Sequence, residues 1–238
     1  MANPFGTDAM AAGYANSRPA VHRLVIERAM ERSYSRALDV GCGAGMSTKA
    51  LAGFVGQAIG LDPALAMLRA AGGGAYVAGL AEALPFAEGS LDLITAAGSL
   101  NYATLDRFFP EADRVLMPGG MVLVYDFSPG RIPGDEEWFA EFHERYPPPA
   151  SEGRELNPEI LAKASPLFRL DRGEWFEIGM VLTAEFYLNY LLTETNVASA
   201  VRRGLRFDDV RERCERTLWK GEAREVTFGG YFARLVAA

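Results

Sequence analysis

The chain has little from which to build a metal centre or a disulfide framework. Its 238 residues include only two cysteines, Cys42 and Cys214, and two histidines, His22 and His143. The cysteines lack metal-ligand spacing and are too few for a disulfide scaffold, so no metal is expected and a reducing, cytoplasmic setting is. No run approaches the ~18 consecutive apolar residues of a membrane span. Met1-Ala2-Asn3-Pro4-Phe5-Gly6 lacks the positive start and apolar stretch of a secretion signal. There is no basic excess: 24 Lys and Arg stand against 31 Asp and Glu, for a formal net charge of −7. That balance argues against nucleic acid or an anionic membrane as partner, where cationic side chains supply most of the affinity.

What is present is an ordinary globular composition, 49% apolar and 23% charged. One domain enlarged by an insertion is the expected organisation. Apolar runs at 37–40, 57–61, 75–78, 91–96 and 121–125 read as strands, with helices at 46–53 and 64–71. Stops fall at Asp62-Pro63, Gly72-Gly73-Gly74 and the turn Pro118-Gly119-Gly120. Strands that alternate with helices and are apolar nearly throughout imply a parallel sheet covered on both faces. After Asp126 the pattern breaks. Residues 128–172 are rich in proline, with Trp138, Phe139 and Phe142 on one helical face. They read as an inserted cap, since a structureless loop of that length is unusual. Strands near 175–183 and 225–236 and helices at 184–192 and 207–216 follow.

The most informative segment is Leu38-Asp39-Val40-Gly41-Cys42-Gly43-Ala44-Gly45-Met46-Ser47, with glycine at alternate positions between a strand and a helix. Lacking Cβ atoms, such a backbone turns tightly and lets a ligand approach closely, at the strand edge where open α/β sheets bind ligands. A dinucleotide fingerprint would need glycine where Met46 stands, and no Gly-Lys-Ser/Thr phosphate loop occurs here. Asp39 is unfavourable for a pyrophosphate and suits an ammonium or the loop's own hydrogen bonding. Asp62, 21 residues beyond Gly41, can accept two hydrogen bonds from a ribose diol, and can equally cap the helix after Pro63. The expected ligand carries a ribose and positive charge rather than phosphates.

Residues 38–45 resemble the first motif of class I S-adenosylmethionine-dependent methyltransferases, and three further pieces follow in order. Gly60-Leu61-Asp62-Pro63 is similar to the acidic strand end. Ala81-Glu82-Ala83-Leu84-Pro85-Phe86, with Ser90-Leu91-Asp92-Leu93-Ile94, is similar to the adenine loop and fourth strand. Arg114-Val115-Leu116-Met117-Pro118-Gly119-Gly120 matches the turn before the fifth. The resemblance covers residues 14–127, and the stretch ending Arg18-Pro19 is similar to the lead-in of the small-molecule branch that includes trans-aconitate methyltransferase. It implies a doubly wound, mostly parallel, seven-stranded Rossmann-like α/β sheet with helices on both faces and a cap after the fifth strand. Residues 1–127 would be the cofactor-binding core with its helical lead-in, 128–172 the cap, and 173–238 the completion of sheet and acceptor pocket within a single domain. The implied cofactor is S-adenosyl-L-methionine, with S-adenosyl-L-homocysteine as product. Its methionine part would rest on Gly41, Cys42, Gly43 and Gly45, with Asp39 ordering the loop. Asp62 and Pro63 would meet the ribose, Leu80, Ala81, Glu82 and Ala97 the adenine, and Tyr14 and Arg18 the carboxylate. Leu80 departs from the family pattern, in which Asp often receives the adenine amino group.

A sulfonium methyl is already electrophilic, so alignment and exclusion of water suffice, and a base is needed only for a protonated acceptor. Candidates at the acceptor end are His22, Asn101, Tyr102 and Asp126, with Glu185, Tyr187 and Tyr190 at helical spacing as pocket lining or core. Asp92 reads as structural, and His143 as a helix flank. The expected activity is methyl transfer to a small organic molecule, with oxygen slightly favoured, by a monomer or homodimer. The rivals are a module that binds the cofactor without catalysis and another nucleotide-binding α/β enzyme.

Overall fold

Apolar runs bounded by glycine, proline and aspartate become the strands of one sheet. The computed structural model describes residues 19–147 and 153–238. In chain order these form α1 (Val21–Ala29), β1 (Tyr34–Val40), α2 (Met46–Ala50), β2 (Val55–Asp62), α3 (Leu65–Ala70), β3 (Ala75–Ala78), β4 (Leu91–Ala97), a 3-10 turn (Leu100–Tyr102), α4 (Leu105–Val115) and β5 (Leu116–Phe127). Then come α5 (Glu136–Arg145), α6 (Pro158–Leu161), β6 (Phe168–Leu182), α7 (Ala184–Leu191), α8 (Thr195–Arg202), α9 (Phe207–Thr217) and β7 (Arg224–Ala237). The strand order is β3-β2-β1-β4-β5-β7-β6. Pairings among β1 to β5 are parallel, and β7 is antiparallel to both its neighbours. The order reverses between β1 and β4, so a crevice opens at their carboxyl ends.

Each face carries a core. On one, Val21, Val25 and Ile26 of α1 join Tyr125, Tyr187, Phe142 and Phe228. On the other, Leu105, Phe108, Phe109, Ala112 and Val115 of α4 pack with Leu38, Ile94 and Val122. Burying each such side chain contributes about 1.5–3 kcal/mol.

The sequence reading departs from the structure in five places. Helix α4 was not anticipated, although its buried residues follow helical spacing, because Pro110 lies inside it. Helix α8 was missed as well. Pro118-Gly119-Gly120 does not precede β5 but bulges within it, where the register shifts between Leu91↔Leu116 and Leu93↔Met121. Strand β6 begins at Phe168, so residues 168–172 belong to the sheet and not to a cap. The connection between β5 and β6 wraps the sheet rather than forming one lid: Phe142 and Tyr146 enter one core, Leu156 and Leu161 the other. Among the described residues no helix is long and apolar enough to cross a membrane.

Candidate active site

At the carboxyl end of β1, Asp39 is fully buried. Its carboxylate accepts hydrogen bonds from Ser47 Oγ at 2.5 Å, Thr48 Oγ1 at 2.6 Å and Thr95 Oγ1 at 2.9 Å. Burial raises its pKa while the three hydroxyls oppose that rise. Asp39 therefore ties β1 to α2 and β4 beneath the glycine loop and presents nothing to a ligand.

In the loop, Gly41, Gly43 and Gly45 have φ of +69°, +54° and +77°, a region that L side chains enter only at a cost. A Cβ on Gly41 would lie 2.3 Å from Ser99 Cβ, and Ser99 is itself anchored by donating its hydroxyl to Val40 O at 2.6 Å. Four of the loop amides are already engaged. Gly41 and Cys42 donate to Leu61 O at 2.7 and 3.0 Å, Gly45 to Cys42 O at 2.9 Å, and Gly43 to Asp62 Oδ2 at 2.9 Å. A phosphate cradle needs such amides free. With two carboxylates close by and four of its amides spent within the protein, this loop suits a cationic ligand. Burial and those carboxylates push the Cys42 thiol far up, which makes it inert.

Asp62 combines two duties. Oδ1 accepts from the Ala64 amide at 2.7 Å, capping the turn into α3, while Oδ2 holds Gly43. Each oxygen retains a second lone-pair direction, which a ribose hydroxyl can use. Pro63 beside it is exposed.

The 80–86 segment is held by side chains that were not foreseen. Glu111 accepts the Leu84 amide at 2.7 Å, and Arg114 donates to the carbonyls of Leu84 and Phe86 at 2.9 and 2.8 Å. They lie far along the chain, and nothing in their local sequence signals the contact. Glu82 accepts the Thr104 amide with Oε1 at 2.7 Å, which fixes the side chain beside the segment. Leu80 is exposed and Ala81 half-buried, and Ala97 ends β4 beside Tyr125.

The acceptor-side candidates divide between faces. His22 Nδ1 lies 3.0 Å from the Tyr125 hydroxyl, with its ring edge-on to Phe127. Asp126 is the next residue along β5, so its side chain points to the opposite face, where the Asn101 side chain acts on it. Burial raises the Asp126 carboxyl to about 6, opposed by the Phe127 amide and Asn101. Tyr102 is 73% exposed. Tyr187 and Tyr190 are core residues, not pocket lining. Tyr187 donates its hydroxyl to Gly130 O at 2.6 Å, and the Tyr190 hydroxyl accepts the Gly130 amide at 3.3 Å. Glu185 is exposed. Tyr14 and Arg18 lie outside the described residues. Asp92 accepts the Ser35 and Arg36 amides at 2.6 and 2.7 Å, a structural tie.

Comparison with known proteins agrees with this geometry. Residues 38–124 match the methyltransferase domain family. An uncharacterized methyltransferase of Synechocystis is 35% identical over 112 residues, 44% of this chain and 53% of that one. A demethylmenaquinone methyltransferase of Thermus thermophilus is 34% identical over 120 residues, 45% of this chain and 54% of its own. The matched stretch thus spans about half the length of either relative. Among solved structures, a putative type II methyltransferase from Anaeromyxobacter dehalogenans superposes with a TM-score of 0.68 at 22% identity, covering 91% of this chain and 95% of that one. The family match ends at residue 124, short of Asp126.

Proposed function

We propose that this chain, which carries a methyltransferase domain of the class I fold, is an S-adenosylmethionine-dependent methyltransferase acting on a small organic acceptor, with oxygen as the receiving atom. One observation carries the reading. The glycine loop spends four of its amides within the protein, stands over two carboxylates and is pinned to Asp62, which suits a cationic nucleoside better than a nucleoside diphosphate. The printed name of the Thermus relative, which acts on demethylmenaquinone, and the absence of a basic excess support a small acceptor.

The cofactor fits the residues present. Gly41 and Gly43 hold the loop in left-handed backbone closely packed on Ser99 and Met67, Asp62 offers its spare lone pairs to the ribose, and the stapled 80–86 segment flanks the base. When bound, it supplies a methyl group that needs no further activation. The protein's share is to orient the acceptor and exclude water, and such positioning can account for ~7–11 kcal/mol of a barrier. In this reading Asp126, whose Oδ1 accepts the Phe127 amide at the end of β5, receives the proton of an acceptor hydroxyl.

The test is transfer of a labelled methyl group from S-adenosylmethionine into extractable small molecules across a panel of alcohols, phenols, carboxylates and amines. Label appearing in an oxygen ether or ester supports the proposal. Cofactor binding with no transfer to any member would favour the non-catalytic module instead.

A further inference from the structure

Beyond the matched segment, the final strand holds a polar group that the fold itself does not use. Tyr231 of β7 is 5% exposed, and its hydroxyl is buried with no hydrogen-bond partner among the described residues. A buried donor left unpaired costs about 1–3 kcal/mol, so an unpaired hydroxyl in a core marks a position where a partner is missing. Tyr231 stands directly opposite Asp126 in the β5–β7 register and opposite Trp175 in the β6–β7 register. Residues paired in this way share a face of the sheet, with Cβ atoms about 4.5–5.5 Å apart. Asp126, Tyr231 and Trp175 therefore form one row across three strands. The row begins at a part-buried carboxyl and ends at an indole that is 59% exposed. Trp175 meets the Tyr231 ring edge-on at 5.6 Å. An exposed tryptophan beside a buried polar pair offers an apolar wall and a polar end, the composition of a small-ligand site.

The setting agrees. The Asp126 end of the row lies at the carboxyl edge of β5, two strands from β1, hence about 10 Å across the sheet from the glycine loop. Gly98 stands beside it, where a Cβ would come 2.9 Å from Asp126 Oδ1. Asn101, whose side chain favours the charged form of Asp126, accepts the Arg154 amide at its backbone oxygen at 2.8 Å. The titratable groups that feel the charge of Asp126 are Tyr231 from β7 and Tyr125 from its own strand. Among the described residues no ion pair neutralises it.

Resting on the methyltransferase reading, we infer that this row is the acceptor subsite and that it selects an aromatic hydroxyl compound, the ring lying against Trp175 and the hydroxyl between Tyr231 and Asp126. A phenolic oxygen satisfies both groups at once. Its O–H donates to the Asp126 carboxylate, one lone pair accepts from the Tyr231 hydroxyl, and the other is left for the new bond. In the overall balance, the phenol proton passes to Asp126 and thence to solvent. The oxygen lone pair forms the bond to the methyl carbon, and the carbon–sulfur pair returns to the sulfur. Asp126 is the catalytic residue of this scheme and Tyr231 a positioning residue.

Binding and turnover test it separately. With S-adenosylhomocysteine present, titration of the protein with 2-naphthol, 2-naphthoate and 1-aminonaphthalene, read by tryptophan fluorescence, is expected to show saturable quenching by 2-naphthol at concentrations at least tenfold lower than by the other two. Tyr231→Phe and Asp126→Asn each weaken that binding by about tenfold or more, and Trp175→Leu removes the quenching. S-adenosylhomocysteine affinity stays within twofold in all three variants. In turnover, Tyr231→Phe raises KM with kcat kept within a few-fold. Asp126→Asn lowers kcat by about a hundredfold and abolishes the acid limb of the rate profile. Equal binding of the three naphthalenes, no binding of any of them, or unchanged 2-naphthol affinity in the variants overturns the subsite. Failure of the unaltered protein to bind S-adenosylhomocysteine overturns the methyltransferase reading itself.

Discussion

The Asp62 carboxylate accepts the Gly43 amide at 2.9 Å, so the end of β2 and the loop after β1 are fastened together at one carboxyl group. Its other oxygen caps the turn into α3. A ligand seated on the loop is thereby placed against the same carboxylate that anchors it, which couples the shape of the loop to the grip on a sugar.

Replacing Asp62 by alanine is expected to release Gly43 and Ala64 together. Loss of two charge-assisted hydrogen bonds in a part-buried site predicts a stability loss of about 1–3 kcal/mol. S-adenosylhomocysteine affinity should fall by at least about tenfold. Denaturant unfolding and calorimetry measure the two effects independently.

Gly41→Ala places a methyl group 2.3 Å from Ser99 Cβ at a φ of +69°. Steric overlap and an unfavourable backbone conformation together predict about 2–4 kcal/mol of destabilisation. The accompanying Ser99→Gly change should restore part of it, and a double-mutant cycle of unfolding free energies reads that coupling.

Tyr187→Phe removes the hydroxyl that donates to Gly130 O at 2.6 Å and should cost about 1–2 kcal/mol in unfolding. Because Tyr187 is core, cofactor affinity should stay within twofold. A selective change in acceptor KM without loss of stability would return it to the pocket.

The Asp126 carboxyl titrates at about 6 in the fold because burial disfavours its charge, above the ~3.9 of a free aspartate. A raised carboxyl favours the folded state below the unfolded value, and that contribution is lost as pH rises through 6. Asp126→Asn is therefore expected to be more stable than the unaltered protein by about 1–2 kcal/mol at pH 8. The difference should shrink to nothing near pH 3.5, as thermal unfolding at the two pH values would show.

The parallel half of the sheet was legible because every strand there is an apolar run with a glycine, proline or aspartate at its end. The glycine loop and Asp62 could be read because their chemistry is local: alternating glycines and a carboxylate at a fixed distance along the chain. What could not be read depends on register and on distant partners. Strand β6 alternates exposed charged residues with half-buried ones from Phe168 onward, so its first residues looked like loop. Tyr187 and Tyr190 sit at helical spacing, a pattern that a pocket wall and a core share, and only their bonds to Gly130 decide between them. The bond from the Thr104 amide to Glu82 joins residues 22 apart in the chain, so no local pattern signals it. Tyr231 went unnoticed because its place opposite Asp126 is set by antiparallel register, where a slip of one residue would send it to the other face.

The central claim is that the loop over residues 39–45, with Asp62, holds a cationic thioether nucleoside. Calorimetric titration of the full chain with S-adenosylmethionine, S-adenosylhomocysteine and NADH tests it most directly. The account predicts saturable one-to-one binding of the first two, weakened by Asp62→Ala, and none of NADH. Binding of NADH, or no heat with either sulfur nucleoside, would contradict it.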